Sequence, residues 1–175
     1  MKYLYLLLLL STLFSSKIMD DTLIEIKNLF PDSKSIIHSK YKIPKQSIKY
    51  IQNNVKQKFF RPEVNTWVIM SKDSLKYYAI LDNVKGKSLP ITFLTIFDDS
   101  SRVYYNSIIK YREAYGGEVS SKNWLNQFNA YTDSSKYKVG DDISNITGAT
   151  ISVNSITKGI RKLSYLIYQI IKENE

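Results

Sequence analysis

The sequence lacks cysteine altogether, and His38 is the only histidine among its 175 residues. The absence of cysteine excludes cysteine-ligated metal and iron–sulfur centres, c-type haem attachment, thiolate nucleophiles and a lipidated N-terminal cysteine. A single histidine also argues against a hydrolase built around a histidine base. We therefore expect no metal site. The chemistry has to come from hydroxyl, carboxylate, amine and backbone groups or from a bound organic cofactor.

Acidic residues are scarce relative to basic ones, with 16 Asp and Glu against 25 Lys and Arg and a net charge of +9. The lysines are spread along the chain without a dense block, so we expect no nucleic-acid partner. Such a charge is better suited to an anionic membrane surface or to an acidic redox partner, and composition leaves both open. The length predicts one domain with a sizeable core.

The first sixteen residues have the order of a secretory signal, because Lys2 is followed by an uncharged stretch with the leucine run 6–10 at its centre. The stretch is too short for a comfortable membrane span. A cleavage point near Ser15 or Ser16 suits the small serine side chain, but Leu13 and Phe14 fit poorly upstream of it. Residues 1–16 are therefore a signal peptide or an uncleaved N-terminal anchor, and either predicts an extracytoplasmic location, in the periplasm or on the outer face of the membrane.

Hydrophobic spacing predicts an α+β fold with a helical part over 17–65 and a second part over 66–175. The first part contains two amphipathic patterns, one from Asp20 to Pro31 and one after Pro44. Period-two alternation begins at Thr66 and predicts an antiparallel meander of about four or more strands flanked by helices. The predicted strands are Trp67–Met70, Lys76–Leu81, Ile91–Phe97 and Arg102–Tyr111. A long helix follows from about Val153 to Lys172, with Ile156, Ile160, Leu163, Ile167 and Ile170 on one face.

Directly before this helix the chain reads Thr147-Gly148-Ala149-Thr150. The two small residues let a bulky group approach the backbone and the Thr150 hydroxyl. The following helix start offers unpaired N–H groups that suit a phosphate. A tight turn with Ser152 capping the helix explains the same residues equally well.

Residues 143–152 resemble the Ser/Thr-Gly-Ala-Thr signature of the FMN-binding domain family, which includes extracytoplasmic subunits of the Rnf and sodium-pumping NADH:quinone oxidoreductase complexes. Residues 90–94, 111–119 and 124–128 resemble the preceding blocks of single-domain members, in the same order. The resemblance implies FMN as cofactor, esterified through its phosphate to Thr150 by a dedicated flavin transferase. The transferase pattern has aspartate where Ser144 stands, so covalent and noncovalent binding both remain open.

The resemblance also implies a set of residues around the cofactor. The Glu113–Glu118 turn corresponds in place to a family loop near the flavin, and an aromatic side chain, Trp124 or Tyr115, is a candidate to stack on the ring. Ordinary turn, surface and core roles are the alternatives at each position. Besides Thr150, the predicted cofactor-binding residues are Thr147, Gly148, Ala149, Ile151, Ser152, Glu113, Gly116, Gly117, Glu118 and Trp124.

The function implied is that of an extracytoplasmic flavoprotein that shuttles electrons between membrane or soluble redox partners. The FMN would carry the redox chemistry, and the protein would supply position and charge, with no catalytic residue of its own. Two alternatives belong to other classes: a flavin-dependent reductase of a small or extracellular acceptor, and a flavin-free binding or assembly module that kept the fold.

Overall fold

The computed structural model describes residues 17–174, so the predicted signal or anchor over 1–16 lies outside the described residues. A five-stranded antiparallel meander runs in the order β1-β2-β3-β4-β5. Its strands are β1 (Ser35–Lys42), β2 (Glu63–Met70), β3 (Lys76–Lys85), β4 (Pro90–Asp98) and β5 (Val103–Lys110). The four strands predicted from alternation are all present, which confirms the meander.

Helices cover both faces of this sheet and confirm the α+β class. The α-helices are α1 (17–29), α2 (Lys45–Val55), α3 (Lys122–Leu125) and α4 (Thr150–Glu173). Short 3₁₀ turns at Gly117–Ser120 and Asn126–Phe128 flank α3. Within residues 17–174, no helix is both long and apolar enough to cross a bilayer.

Two hydrophobic cores lie on opposite faces of the sheet. On one face, Ile26 and Phe30 pack with Trp67, Leu94 and their neighbours. On the other face, α2 and α4 cover the larger core. The predicted apolar face of α4 is buried there, with Ile156, Ile160, Leu163, Ile167 and Ile170 at most 1% exposed.

The structure differs from the predicted boundaries in two places. The part over 17–65 is not wholly helical, since it contains β1. This edge strand buries only Tyr41 and therefore lacks a clear alternation signal. Helix α4 begins at Thr150 rather than near Val153, and its N-cap is Ala149 rather than Ser152. Thr150 and Ile151 are exposed, so the first turn of α4 carries no apolar periodicity.

Helix α4 is held close to the sheet by a glycine and by a buried ion pair. A Cβ at Gly159 would lie 2.6 Å from Val84 Cγ1, so only glycine allows this approach. Three residues further on, Lys162 Nζ lies 2.7 Å from Asp82 Oδ2, with side-chain exposures of 0% and 6%. Lys162 also donates to the Lys58 carbonyl oxygen at 3.1 Å. The pair fixes the helix that begins at the Thr-Gly-Ala-Thr segment.

Candidate functional site

An open cavity of about 860 Å³ lies at the N-terminal end of α4. Three segments form it: the turn between β3 and β4, the residues after β5, and residues 147–152. Every predicted cofactor-binding residue except Trp124 lines it. The lining residues are Lys87, Ser88, Glu113, Ala114, Tyr115, Gly116, Gly117, Glu118, Thr147, Gly148, Ala149, Thr150, Ile151 and Ser152. The fold thus brings together segments that lie about 60 residues apart in the sequence.

The start of α4 has the features of an anion site. Its N-cap, Ala149, has no side-chain hydrogen bond to the helix, and the first turn contains no acidic residue. The N–H groups of this turn therefore keep their partial positive charge beside the cavity. Gly148 adopts a φ of +81°, and nothing lies within 4 Å of where its Cβ would be. The Thr150 side chain stands beside this open space, because Thr150 is exposed and lines the cavity.

Hydrogen bonds of the Tyr111 hydroxyl connect two walls of the cavity, the 113–118 segment and the start of α4. Tyr111 donates to the Tyr115 carbonyl oxygen at 2.5 Å, and its oxygen lies 2.9 Å from Ser152 Oγ. Since a hydroxyl has one proton to donate, Ser152 is the donor in the second contact. Gly116 passes through the same place with a φ of +81°, and a Cβ there would lie 2.9 Å from the Tyr111 hydroxyl and 3.2 Å from Ala149 Cβ. Tyr111, which sequence reasoning did not single out, positions the 113–118 segment against α4.

Glu113 supports the cavity wall through the backbone. Its Oε1 accepts hydrogen bonds from the N–H groups of Ser88 at 2.7 Å and Leu89 at 2.9 Å. These bonds, led by the one from Leu89, lower the pKa of the Glu113 carboxyl below its ordinary value. Because Oε1 already accepts two hydrogen bonds, the predicted hydrogen bond from the cofactor to Glu113 would be accepted mainly by Oε2.

We expect Glu113→Gln to weaken the β3–β4 turn in a pH-dependent way. A carboxyl whose pKa is lower in the folded state stabilises the protein above its unfolded-state pKa. This contribution disappears as the pH falls through the lower, folded-state value. Denaturant midpoints of wild type and variant should therefore differ at pH 7 and converge in acid below the ordinary glutamate pKa. Exposed Glu118 offers the matched control Glu118→Gln, and an equal effect there would contradict the assignment.

Trp124 is placed in the core rather than in the cavity. It is 5% exposed, its Nε1 donates to the Ser144 carbonyl oxygen at 2.8 Å, and its ring packs edge-on against Phe128. Its indole therefore anchors the chain just ahead of the Thr-Gly-Ala-Thr segment. The other aromatic candidate, Tyr115, is 86% exposed at the cavity rim, where its ring is free to contact a bound group.

The geometry of this cavity agrees with an independent comparison of sequences. The sequence model of the FMN-binding domain family matches residues 86–164, a range that contains all three walls. Residues 86–164 form an FMN-binding domain. The cofactor of this flavoprotein is accordingly FMN. No protein of curated function matches the chain significantly.

The residues of the FMN-binding domain fit such a cofactor. The uncapped first turn of α4 is suited to the phosphate, and the gap around Gly148 leaves room beside it. Lys87 is the only cation among the lining residues, and it stands with Glu118 and the engaged Glu113. Thr147–Ser152 would hold the phosphate end, while Tyr115 and the 113–118 backbone would contact the rest.

Proposed function

We propose that the protein carries FMN as a phosphoester of Thr150 and transfers electrons between redox partners on the extracytoplasmic side of the membrane. The position of the Thr150 hydroxyl is the observation that carries the proposal. Thr150 is the first residue of α4, it is exposed, and it lines the cavity together with the uncapped first turn of the helix.

Attachment requires an accessible nucleophile and a place for the product. Because Gly148 and Ala149 add little bulk, a transferase active site can reach the Thr150 hydroxyl. The Thr150 Oγ1–P bond forms, the bond from phosphorus to the leaving group of the flavin donor breaks, and the hydroxyl proton passes to the transferase. The phosphodiester then lies at the positive end of α4, which stabilises its charge.

Two aspartates near Ser144 are engaged elsewhere. The Asp142 carboxylate accepts a hydrogen bond from the Lys138 N–H at 3.2 Å, and Asp141 forms an ion pair with the Lys138 ammonium at 3.3 Å. Ser144 itself is exposed, with its N–H donating to Gln127 Oε1 at 2.8 Å. A transferase would therefore meet the Ser144 hydroxyl where the family pattern has a carboxylate.

Electron transfer is favoured over substrate chemistry by what lines the cavity. FMN supplies one- and two-electron redox chemistry when bound. The charged lining groups are Lys87, Glu113 and Glu118, and no histidine or tyrosine hydroxyl is paired with a carboxylate there. The chain therefore binds and orients the cofactor and leaves its mouth open to a partner. Such a site suits a carrier better than a reductase with its own acid–base groups.

Intact mass of the denatured protein tests the attachment. The full chain is co-expressed with an active flavin transferase and compared with Thr150→Val and Thr147→Val. We expect a gain of one FMN minus one water in wild type and in Thr147→Val, and no gain in Thr150→Val. The Thr147 variant is the matched control, since Thr147 is also exposed and lines the cavity.

Other outcomes separate the parts of the proposal. A yellow native protein that loses its flavin on denaturation would overturn the covalent bond and retain the carrier. Rapid turnover of a small soluble acceptor by the loaded protein, exceeding its reoxidation by any redox protein, would overturn the carrier in favour of a reductase.

A further inference from the structure

Lys87 brings a positive charge to the flavin cavity that no acidic side chain pairs with. It is exposed and lines the cavity. Among residues 17–174, its ammonium lies within 4 Å of no carboxylate oxygen. Glu113, on the neighbouring wall, instead accepts two backbone hydrogen bonds. The Lys87 charge is therefore available to an anion that enters the cavity.

The turn that carries Lys87 approaches the N-terminal end of α4. Val84 lies against Gly159, where an added Cβ would be 2.6 Å from Val84 Cγ1. One residue later, the Lys85 carbonyl oxygen accepts a hydrogen bond from Ser155 Oγ at 2.7 Å. The end of β3 thus runs toward the start of the helix. The next two residues of chain span at most about 7 Å, and the first turn of α4 lies about 6 Å before Ser155. This direction brings Lys87 toward that turn, with which it lines one cavity.

Two consecutive residues after β5 hold the turn in place. Arg112 donates to the Pro90 carbonyl oxygen at 2.9 Å, and Glu113 accepts from two N–H groups of the turn. The Leu89 N–H is the largest cause of the lowered pKa of the Glu113 carboxyl, and the Lys87 charge adds to it. The ammonium is therefore close to this wall of the cavity without being paired to it. Lys87 extends a flexible charged side chain from a fixed backbone.

The phosphate is the strongly anionic part of FMN. The isoalloxazine ring of oxidised flavin and the ribityl chain are uncharged, so a nearby ammonium interacts most strongly with the phosphate. Lysine binds phosphates as a point charge and does not need a fixed geometry to do so. With the phosphate on Thr150, at the uncapped start of α4, the cation of the β3–β4 turn stands across the same cavity.

We propose that Lys87 binds the phosphate of FMN and makes the site select a phosphorylated flavin over riboflavin. The proposal rests on the proposed function, which puts the phosphate at the start of α4. The N–H groups of a helix start carry only partial charges, whereas the ammonium supplies a full one. Two elements then hold the phosphate, the first turn of α4 and the β3–β4 turn.

Flavin titrations of the apo protein test this role. The full chain is produced without a flavin transferase, and its affinities for FMN and for riboflavin are measured from flavin fluorescence. We expect Lys87→Gln to bind FMN about tenfold more weakly, the loss of one charge-assisted hydrogen bond at an exposed site. Its riboflavin affinity should equal that of wild type. Lys87→Arg keeps the charge and should recover most of the FMN affinity.

Lys85→Gln is the matched control for charge. Lys85 is exposed, lies two residues away and is not among the lining residues, so its loss should change FMN affinity less than about twofold. Equal FMN losses in the two glutamine variants would assign the effect to net charge. Equal losses for FMN and riboflavin would place Lys87 at the ring or the ribityl chain, and unchanged FMN affinity in Lys87→Gln would remove it from the site.

The covalently loaded protein gives a second test that does not require reversible binding. Its FMN contributes the single phosphorus atom, whose NMR resonance should shift in Lys87→Gln and stay in place in Lys85→Gln. A gain of FMN mass with an unmoved resonance would overturn the role of Lys87 alone. Absence of the mass gain in wild type would overturn the attachment, and the titrations would then decide on Lys87. A wild-type chain that neither gains mass nor binds either flavin would overturn both proposals.

Discussion

Lys162→Met is expected to lower the free energy of unfolding by roughly 3–5 kcal/mol, because it leaves a buried carboxylate without its counter-ion. Asp82 Oδ2 is buried, and among residues 17–174 its partner is the Lys162 ammonium alone. Methionine fills much of the space of the lysine stem and keeps the contact with Phe59, whose ring centroid lies 4.5 Å from Nζ. The loss would therefore report the orphaned charge rather than a cavity.

Chemical denaturation measures this loss, and two further variants define its origin. The double variant Asp82→Asn, Lys162→Met should recover most of the stability, since no charge is then left buried. Lys158→Met is the matched control, one turn earlier on α4 and exposed, and should change stability by less than about 0.5 kcal/mol. Equal denaturant midpoints for Lys162→Met and Lys158→Met would contradict the assignment. If the single variant fails to fold, recovery in the double variant still tests it.

The elements that were predictable from sequence are those whose apolar residues form a clear run or a clear helical stripe. Strands β3 and β4 are apolar runs between polar turns because both of their faces are buried. Helix α4 repeats its apolar residues at helical spacing because that face meets the sheet. Strand β1 exposes most of its residues at the sheet edge, so the interior imposed no pattern on it. Lys162 could not be predicted for a different reason. A lysine on a helix is normally expected to be solvated, and only the packing of α4 against the sheet brings this one to Asp82.

The parts of the candidate site that could be predicted are short segments that are continuous in the sequence. Residues 147–152 and 113–118 carried their own signals of small residues and family resemblance, and they do line one cavity. Lys87 and Ser88 were not predicted because a polar turn between two strands gives no sign of a binding site. Hydrogen bonds to Glu113, 24 and 25 residues away, hold this turn at the cavity. Tyr111 was missed for a similar reason, since its partners are a backbone carbonyl and Ser152, 41 residues away. The prediction that Trp124 lies at the cofactor was wrong, because its indole N–H binds the Ser144 carbonyl oxygen and its ring packs in the core. The sequence does not show which of these positions a tryptophan takes.

Gly116→Ala is expected to cost roughly 2–4 kcal/mol of stability and to disturb the flavin site. The residue has a φ of +81°, which strains any L side chain, and the new methyl group would stand 2.9 Å from the Tyr111 hydroxyl and 3.3 Å from Ala149 Cα. Ala149 belongs to the backbone at the start of α4 and cannot easily yield. The 113–118 segment must therefore move away from the helix, breaking the Tyr111 contact that joins the two walls.

Gly140→Ala separates backbone strain from this steric conflict. Gly140 has a similar φ of +88°, but nothing lies within 4 Å of the added methyl group, and the residue does not line the cavity. It should cost only about 1–2 kcal/mol, and the visible absorption of bound FMN should stay as in wild type. In Gly116→Ala that spectrum should change, because the walls around the cofactor are displaced. Equal stability losses and unchanged spectra in both variants would mean that the close approach of Gly116 to α4 does not shape the site.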